Sequence, residues 1–524
     1  MLQTTLLRGG LLFSWLKNFK TFRADHYSVP EQESTVTKLC TELTDNMIII
    51  RSKLSNSSDF ISKELEIDGV HLQLLLCEGM INTTNLAKLI ITPLMELKLE
   101  NHTPDAFLNW TRRSLLGSEQ REIYTIEEVF SSIMSGFVVL LIDGLDIGLA
   151  LAVQGFQFRA VNEPSSGVNI KGSHEGFIEV IRINLSMIRR RIKSPSLVFE
   201  MLKVGTKSAT DVCIAYMSDT VSGEMLKQVR ERLQRINIDV LLDAGYIKPF
   251  LDSKRFSMFD GVGYSERPDI VCAKIREGRI AVLVDGTPFV IIIPFLFSEH
   301  FQTLDDYSQR PFFVFFMRIL RYVAFFLSML LPGFYVAIIT FHPELLPESL
   351  LFNISTAEET TPFSLMAEAL AIHFIYEIMR EAGLRLPRPI GHAVGIVGAL
   401  VIGDAAVMSG LISAPMVMIV ALTALSSLVV PSLYESATIL KFAFIIFGGL
   451  WGIYGITILF AAMLVDALSV NTYGIPVSAP ISPTYLYSWR DVFFRSNWRS
   501  LSKENLRVQD LPGSELNDKG QKRL

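Results

Sequence analysis

Cysteine is scarce and scattered. Four residues, Cys40, Cys77, Cys213 and Cys272, lie far apart in a chain of 524 with no CxxC pair and no metal-ligand spacing. That excludes a disulfide framework and a structural zinc site, and it suits a reduced, cytosolic setting. The N-terminus, MLQTTLLRGGLLFSWLKNFK, has neither the basic start nor the small-residue cleavage site of a secretory signal. Residues 1–35 therefore read as a flexible or membrane-surface leader, and the sequons at Asn56, Asn82 and Asn109 carry no weight. A phosphate-binding loop is missing: GVG at 261–263 has Glu266 where a dinucleotide motif needs its third glycine. No nucleophile–base pair or metal spacing stands out, and His342-Pro343-Glu344 reads as a helix-end loop. Neither an enzyme nor a bound cofactor or metal is expected. With a net charge of −5 there is no basic surplus for nucleic acid.

What the chain has in plenty is apolar sequence, unevenly placed. Half of its residues are hydrophobic and its mean hydropathy is +0.36. Charged residues crowd the first 280 or so positions, whereas apolar runs fill most of 289–470. The fold class expected is therefore multi-domain: an N-terminal α/β cytosolic domain of two similar subdomains, 36–160 and 161–288. A polytopic α-helical transmembrane domain, 289–488, and a polar cytoplasmic tail, 489–524, follow.

An internal repeat supports the two subdomains. IEEVFSSIMSGFVVLLIDG (126–144) aligns without gaps on PDIVCAKIREGRIAVLVDG (268–286), matching Gly136 with Gly278 and Asp143-Gly144 with Asp285-Gly286. Each copy reads as a helix ended by Gly, an apolar strand and a hairpin turn, with IGLALAV and PFVIII as returning strands. A cleft between the two units is expected. Between the copies, 176–192 reads as an amphipathic helix ending in Arg189, Arg190 and Arg191. That triplet is either a solvated helix end or a contact for an anionic membrane or partner surface.

In the apolar half the expected spans are 312–341, 362–382, 393–412, 416–430 and 442–465, and 289–297 is too short to cross. That short piece reads as re-entrant or interfacial, or as a buried strand. Pro332-Gly333 predicts a kink in the first span. The loop 342–360 has four Glu and no Lys or Arg, placing it outside; Arg385 and Arg388 mark a cytoplasmic interface. Five crossings would leave the basic tail outside, against its charge. The second span holds Glu368, His373, Glu377, Arg380 and Glu381, and the third holds Asp404. Ionisable groups at membrane depth face a bundle interior or a wet path. Gly395, Gly398, Gly403, Gly448 and Gly452 are candidates for close helix packing.

The motifs GSHEGFIEVIRINLSMIRRRI (172–192), SERPD (265–269), EGR (277–279), VDGTPFV (284–290), DDY (305–307), EIMREAGLRLPRPIG (377–391) and VGALVIGDAAV (397–407) resemble one family. It is that of the A subunits of GerA-type bacterial spore germinant receptors. Ser173 stands where that family commonly has Pro, and Asp404 where it often has Gln. The resemblance implies a two-part cytosolic α/β domain and a helical domain in the inner spore membrane. It implies a transporter-like B subunit that binds nutrient and a lipoprotein C subunit as partners. It also implies that A subunits oligomerise in the lipid into a ligand-gated cation channel. On that footing Glu368, His373, Glu377, Arg380 and Asp404 are pore or gate candidates, with Pro332 and Gly333 assisting movement. Glu175, Arg189, Arg190, Arg191, Glu266, Arg267 and Asp285 are the cytosolic motif candidates. Two alternatives stay open: a sporulation-specific A-like protein that modulates germination without sensing nutrients, and a small-solute secondary transporter.

Overall fold

The computed structural model describes residues 37–54, 57–98, 102–115, 119–155, 172–253, 257–359, 361–386, 403–484, 489, 491–496 and 507–516. Its first half holds two five-stranded antiparallel sheets. The first comprises β1 (Phe60–Ile67), β2 (Val70–Cys77), β3 (Gln120–Ile123), β4 (Phe137–Ile142) and β5 (Gly148–Ala152), in the order β1-β2-β4-β5-β3. The second comprises β6 (Leu197–Val204), β7 (Thr210–Met217), β8 (Gly263–Ser265), β9 (Ile280–Val284) and β10 (Val290–Ile293), in the order β6-β7-β9-β10-β8. Shifted by five strands, the two orders are identical. The aligned segments occupy equivalent places: α1 (Ile126–Ile133) precedes β4 as α2 (Pro268–Arg276) precedes β9. Gly136 and Gly278 take φ of 83° and 84°, Gly144 and Gly286 of 85° and 91°, a region open to glycine and costly for other residues.

The equivalence runs further than the alignment. Asn46 in α3 (Leu43–Leu54) clamps the backbone of Cys40, accepting its N–H at 2.8 Å and donating to its carbonyl at 2.6 Å. Asn184 in α4 (Ile181–Arg191) does the same to Ile178, at 2.9 and 2.6 Å. This clamp closes on Ile178, and α4 begins only at Ile181, later than the amphipathic pattern predicts. Asp143 and Asp285 accept the first helical N–H groups, of Leu43 and Ile181, at 3.1 and 3.0 Å. With their carboxylates engaged there, residues 143–147 and 285–289 form wider connections than the tight hairpins the Asp-Gly pairs predict.

Each sheet is apolar on both faces and is covered on both. In the first, Ile50, Val129 and Ile133 pack on one side, and Leu94, Phe107 and Leu108 on the other. In the second, α4 and α2 cover one face, while the other meets α5 (Gly223–Gln234) and the chain's C-terminal part. Where the sequence suggests a cleft, the described residues at the joint of the halves are bonded across it. Arg189, 1% exposed, donates to Asp59 at 2.8 and 2.9 Å, and Ser57 Oγ accepts the Phe199 N–H at 3.0 Å.

The boundaries drawn from sequence shift. Residues 290–293 are no re-entrant piece: they are β10, bonded to β9 and β8, with Ile291, Ile292 and Ile293 fully buried. The second subdomain thus runs past 288. Nor is 489–524 wholly a polar tail, because Val508 and Leu511 enter the same core as Tyr473, Ile475 and Ala479. The Val508 N–H donates to the Glu277 carbonyl at 2.8 Å.

Among the described residues, the longer helices that follow are α6 (Pro311–Phe341), α7 (Glu348–Glu358), α8 (Leu365–Arg385), α9 (Ala414–Val429) and α10 (Tyr434–Ser469). α6 is continuous through Pro332. The break lies instead in α10, at Gly452, whose φ of 60° and ψ of −146° are not helical. Gly333 packs against Phe444 and Gly448, and Gly452 against Phe341, so the first limb of α10 runs parallel to α6. The second limb returns, bringing Phe460 to 6.2 Å from Phe326. Both limbs end at Met258, whose carbonyl accepts from Ser436 and whose N–H donates to Asp466. The run 442–465 is therefore part of a helical hairpin rather than a single pass, and the tail returns to the α/β head. Gly395 and Gly398 lie outside the described residues, as does the first half of 393–412; residues 403–408 are helical.

Removing one partner of a buried ion pair leaves a bare charge, so Asp59→Ala should lower the unfolding free energy by about 3–5 kcal/mol. Lys53→Ala, which breaks the exposed 3.2 Å pair with Glu127, should cost no more than about 1 kcal/mol in the same denaturant titration.

Candidate functional site

α8 concentrates the ionisable residues that the sequence singled out. At about 100° per residue, Glu368 and Glu377 stand about 180° apart. Both nevertheless touch protein, because the helix is packed over half its girth. Glu368, Ala369, Ile372 and His373 are buried, while Phe374 and Ile378 are exposed. The two margins of that packed half carry the two acids.

At one margin Glu368 is wholly buried. Its Oε1 accepts the Ser413 N–H at 2.6 Å, ahead of α9, and lies 2.8 Å from Ser413 Oγ. The same hydroxyl lies 2.9 Å from Glu358 Oε1 at the end of α7, and Tyr335 of α6 donates to that oxygen at 3.3 Å. Four helices or helix ends thus meet on two carboxyls. At the other margin Glu377 is paired: Lys441 of α10 donates to it at 2.7 Å, and the Tyr434 hydroxyl also donates to it. Arg380 lies over the Tyr434 ring. His373 sits between the two centres, buried, and neither of its ring nitrogens has a hydrogen-bond partner among the described residues; Glu368 Oε2 is likewise unpartnered. Asp404 is not brought to either centre and is exposed. Pro332 and Gly333 are buried in the contact between α6 and α10, where a Cβ on Gly333 would come within 2.6 Å of the Phe444 carbonyl.

The motifs of the head close the frame. Glu175 binds both Arg190 and Arg191 and, although burial opposes its charge, those guanidiniums hold it below the usual carboxylate range. Arg189 departs from its neighbours to join the two halves. Arg267 pairs with Asp269 at 2.7 Å and donates to the Ser173 carbonyl at 2.8 Å. Glu266 is buried, and its carbonyl accepts the Phe177 N–H at 2.7 Å. Arg279 of the EGR motif grips Glu299 at 2.5 and 2.6 Å, beside Lys274. Burial disfavours the Glu299 charge, but the Arg279 and Lys274 cations outweigh it and bring the group to about 2.

Head and helices are keyed together where α6 begins. Asp306 of the DDY motif accepts from Arg318 at 3.0 Å and from Arg321 at 2.9 Å. Arg318 also donates to the carbonyls of Asp491 and Val492 at 2.7 and 3.0 Å, and Tyr307 donates to the Asp491 carboxylate at 2.7 Å. One guanidinium therefore ties the head, the first apolar helix and the tail. The sequence marks DDY as a motif and leaves Ser413, Tyr434 and Lys441 unmarked by any motif. Lys441 did leave a signal, as a lone cation at the edge of an apolar run.

Fold and site together define a protein with a duplicated α/β head locked by buried ion pairs to apolar helices that bury Glu368, His373 and Lys441 among themselves. Residues 48–506 match the family model described as Bacillus/Clostridium GerA spore germination protein, and the chain belongs to that family, whose members act in spore germination. It is similar to spore germination protein KA of Bacillus subtilis (strain 168), 38% identical with 88% of this chain and 87% of that one covered. It is also similar to the uncharacterized membrane protein YfkQ of the same strain, 34% identical with 92% of each chain covered. Among solved structures, the N-terminal domain of the A subunit of the Bacillus megaterium spore germinant receptor GerK3 matches 50% of this chain and 98% of its own. The identity is 28% and the TM-score 0.40.

Because Glu299 lies below its ordinary value of 4.5, it stabilises the fold above that pH, and the contribution fades as pH falls from about 4.5 to about 2. Glu299→Gln should therefore lower stability at neutral pH and flatten the acid limb over that window in a thermal-melt pH series. An unaltered acid limb would contradict the assignment.

Proposed function

We propose that this protein is the A subunit of a nutrient germinant receptor, multi-pass in the inner membrane of a bacterial endospore with its α/β head in the cytosol. Several copies assemble into a ligand-gated cation channel beside a transporter-like B subunit and a lipoprotein C subunit. The observation that carries the membrane part is the inverted polarity of the helices. Less than half of the apolar stretch of α6, and about a third of that of α10, is buried, whereas Glu368, His373 and Lys441 are inside. Large apolar side chains such as Phe374, Met418, Leu425 and Trp451 are left outside. A water-soluble core helix has the opposite arrangement. Each limb of α10, about 17 residues, is roughly 26 Å long, close to the thickness of a hydrocarbon core. The hairpin also supports an even number of crossings, which puts the tail on the head's side as its charge requires.

Membership of a spore germination family supports the receptor assignment. The gate is placed at the two centres on α8. Buried polar atoms without partners, Glu368 Oε2 and the His373 nitrogens, cost about 1–3 kcal/mol each, which favours a second arrangement in which they find partners or ions. Glu377–Lys441 is the contact that α8 and α10 would give up in reaching it. Glu368, His373 and Glu377 thereby gate the path, with Arg380 steadying the Tyr434 side.

Reconstitution with partner subunits in liposomes tests this. Glu368→Gln and Glu377→Gln should each change nutrient-triggered cation release at least several-fold while leaving oligomer size unchanged. Unchanged release from both variants would contradict the gate.

A further inference from the structure

The segment 236–252, INIDVLLDAGYIKPFLD, is apolar on both sides. Inward, Leu241, Ala244, Ile247 and Leu251 enter the core of the second subdomain. Outward, Val240, Leu242, Tyr246 and Phe250 are 44–65% exposed, and Met258 is 39% exposed. Leu242 precedes the single turn Ala244–Tyr246, and Phe250 lies in the short helix Lys248–Leu251 that follows it. A folded cytosolic surface seldom carries such a strip without a partner.

Its position says what covers it. Met258 is the residue at which both limbs of α10 end, bonded through Ser436 and Asp466. Phe259, next to it, packs with Val430, Leu433 and Ala437 at the head end of the helices. Lys248 joins the strip to this loop, pairing with Asp260 and lying 4.9 Å above the Tyr264 ring. Near Met258, α10 exposes Ile439 on one limb and Leu468 on the other. The strip thus borders the head end of α10, whose outward apolar residues the membrane reading places in lipid. Aromatic side chains with a polar end, and a lysine whose stem can lie along apolar surface, suit the level of the headgroups.

We propose that the 240–258 edge of the head is a membrane-surface contact, with Leu242, Tyr246 and Phe250 seated at the boundary between headgroups and acyl chains. This rests on the membrane reading of the helices given above. The contact sets the height and tilt of the second subdomain over the bilayer, so that motion of the head reaches α10 through Met258 and α6 through Arg318.

The test is site-directed spin labelling of the full chain in phosphatidylcholine–phosphatidylglycerol liposomes. Single labels replace Leu242 (Leu242→Cys) and Phe250 (Phe250→Cys) in a Cys40→Ser background. Leu425→Cys, on the outer face of α9, controls for insertion, and Lys207→Cys controls for water. Labels at 242 and 250 should relax more with lipid-soluble oxygen than with an aqueous nickel chelate, reversing the ratio found at 207. A ratio matching Lys207→Cys, or shielding from both relaxants as a covering protein surface would give, overturns the proposal while Leu425→Cys still reads as lipid. If Leu425→Cys also reads as aqueous, the membrane reading has failed and the contact falls with it.

Discussion

A charge removed from water must meet another charge or a set of hydrogen bonds, and this chain puts its buried charges where separate pieces have to be held in register. Arg189 and Asp59 join the two halves of the head. Arg279 and Glu299 fasten the second sheet to the segment leading toward the helices. Arg318, Asp306 and Asp491 bind head, first helix and tail at one point. Glu377 and Lys441 hold α8 to α10. Ordinary apolar packing would join these pieces as firmly, but it would not specify which groups meet. Directional pairs do, and that is the property a transmitting device needs.

The series of pairs runs from the head to the helices. The head is linked to α6 through Arg318 and to α10 through Met258, and α10 in turn holds α8 through Lys441. Close helix packing, of Gly333 against Phe444 and Gly448, lies between these points and leaves no space for a Cβ. A tight glycine contact slides with less rearrangement than interlocked large side chains. The rigid members are thus the ion pairs, and the smooth surface lies between them.

The sequence disclosed this architecture in part. The Gly-strand-Asp-Gly repeat was legible because Gly136, Gly144 and their counterparts are fixed by backbone conformations that few other residues adopt. The apolar helices were legible from length and hydropathy. β1 was not, because it pairs only with β2 at the sheet's edge and its polar FISKELEI lacks a buried face. β10 was ambiguous, since a strand covered on both sides reads like a short membrane piece. The hairpin in α10 was hidden because Gly452 lies among Gly448, Gly449 and Gly455, and composition does not say which of them turns. The ion pairs were half visible: EGR and DDY were noted, but their partners Glu299, Arg318 and Asp491 are up to 184 residues away in the chain.

The central claim is that α10 doubles back and so returns the C-terminal segment to the head. Labelling the protein in sealed vesicles with a membrane-impermeant thiol reagent tests it most directly. The native Cys40 marks the head, Glu515→Cys the tail and Glu348→Cys the far loop, all three exposed. The account requires Cys40 and Glu515→Cys to react from one face and Glu348→Cys from the other. Reaction of Glu515→Cys together with Glu348→Cys would show that α10 crosses once, and the account would fail.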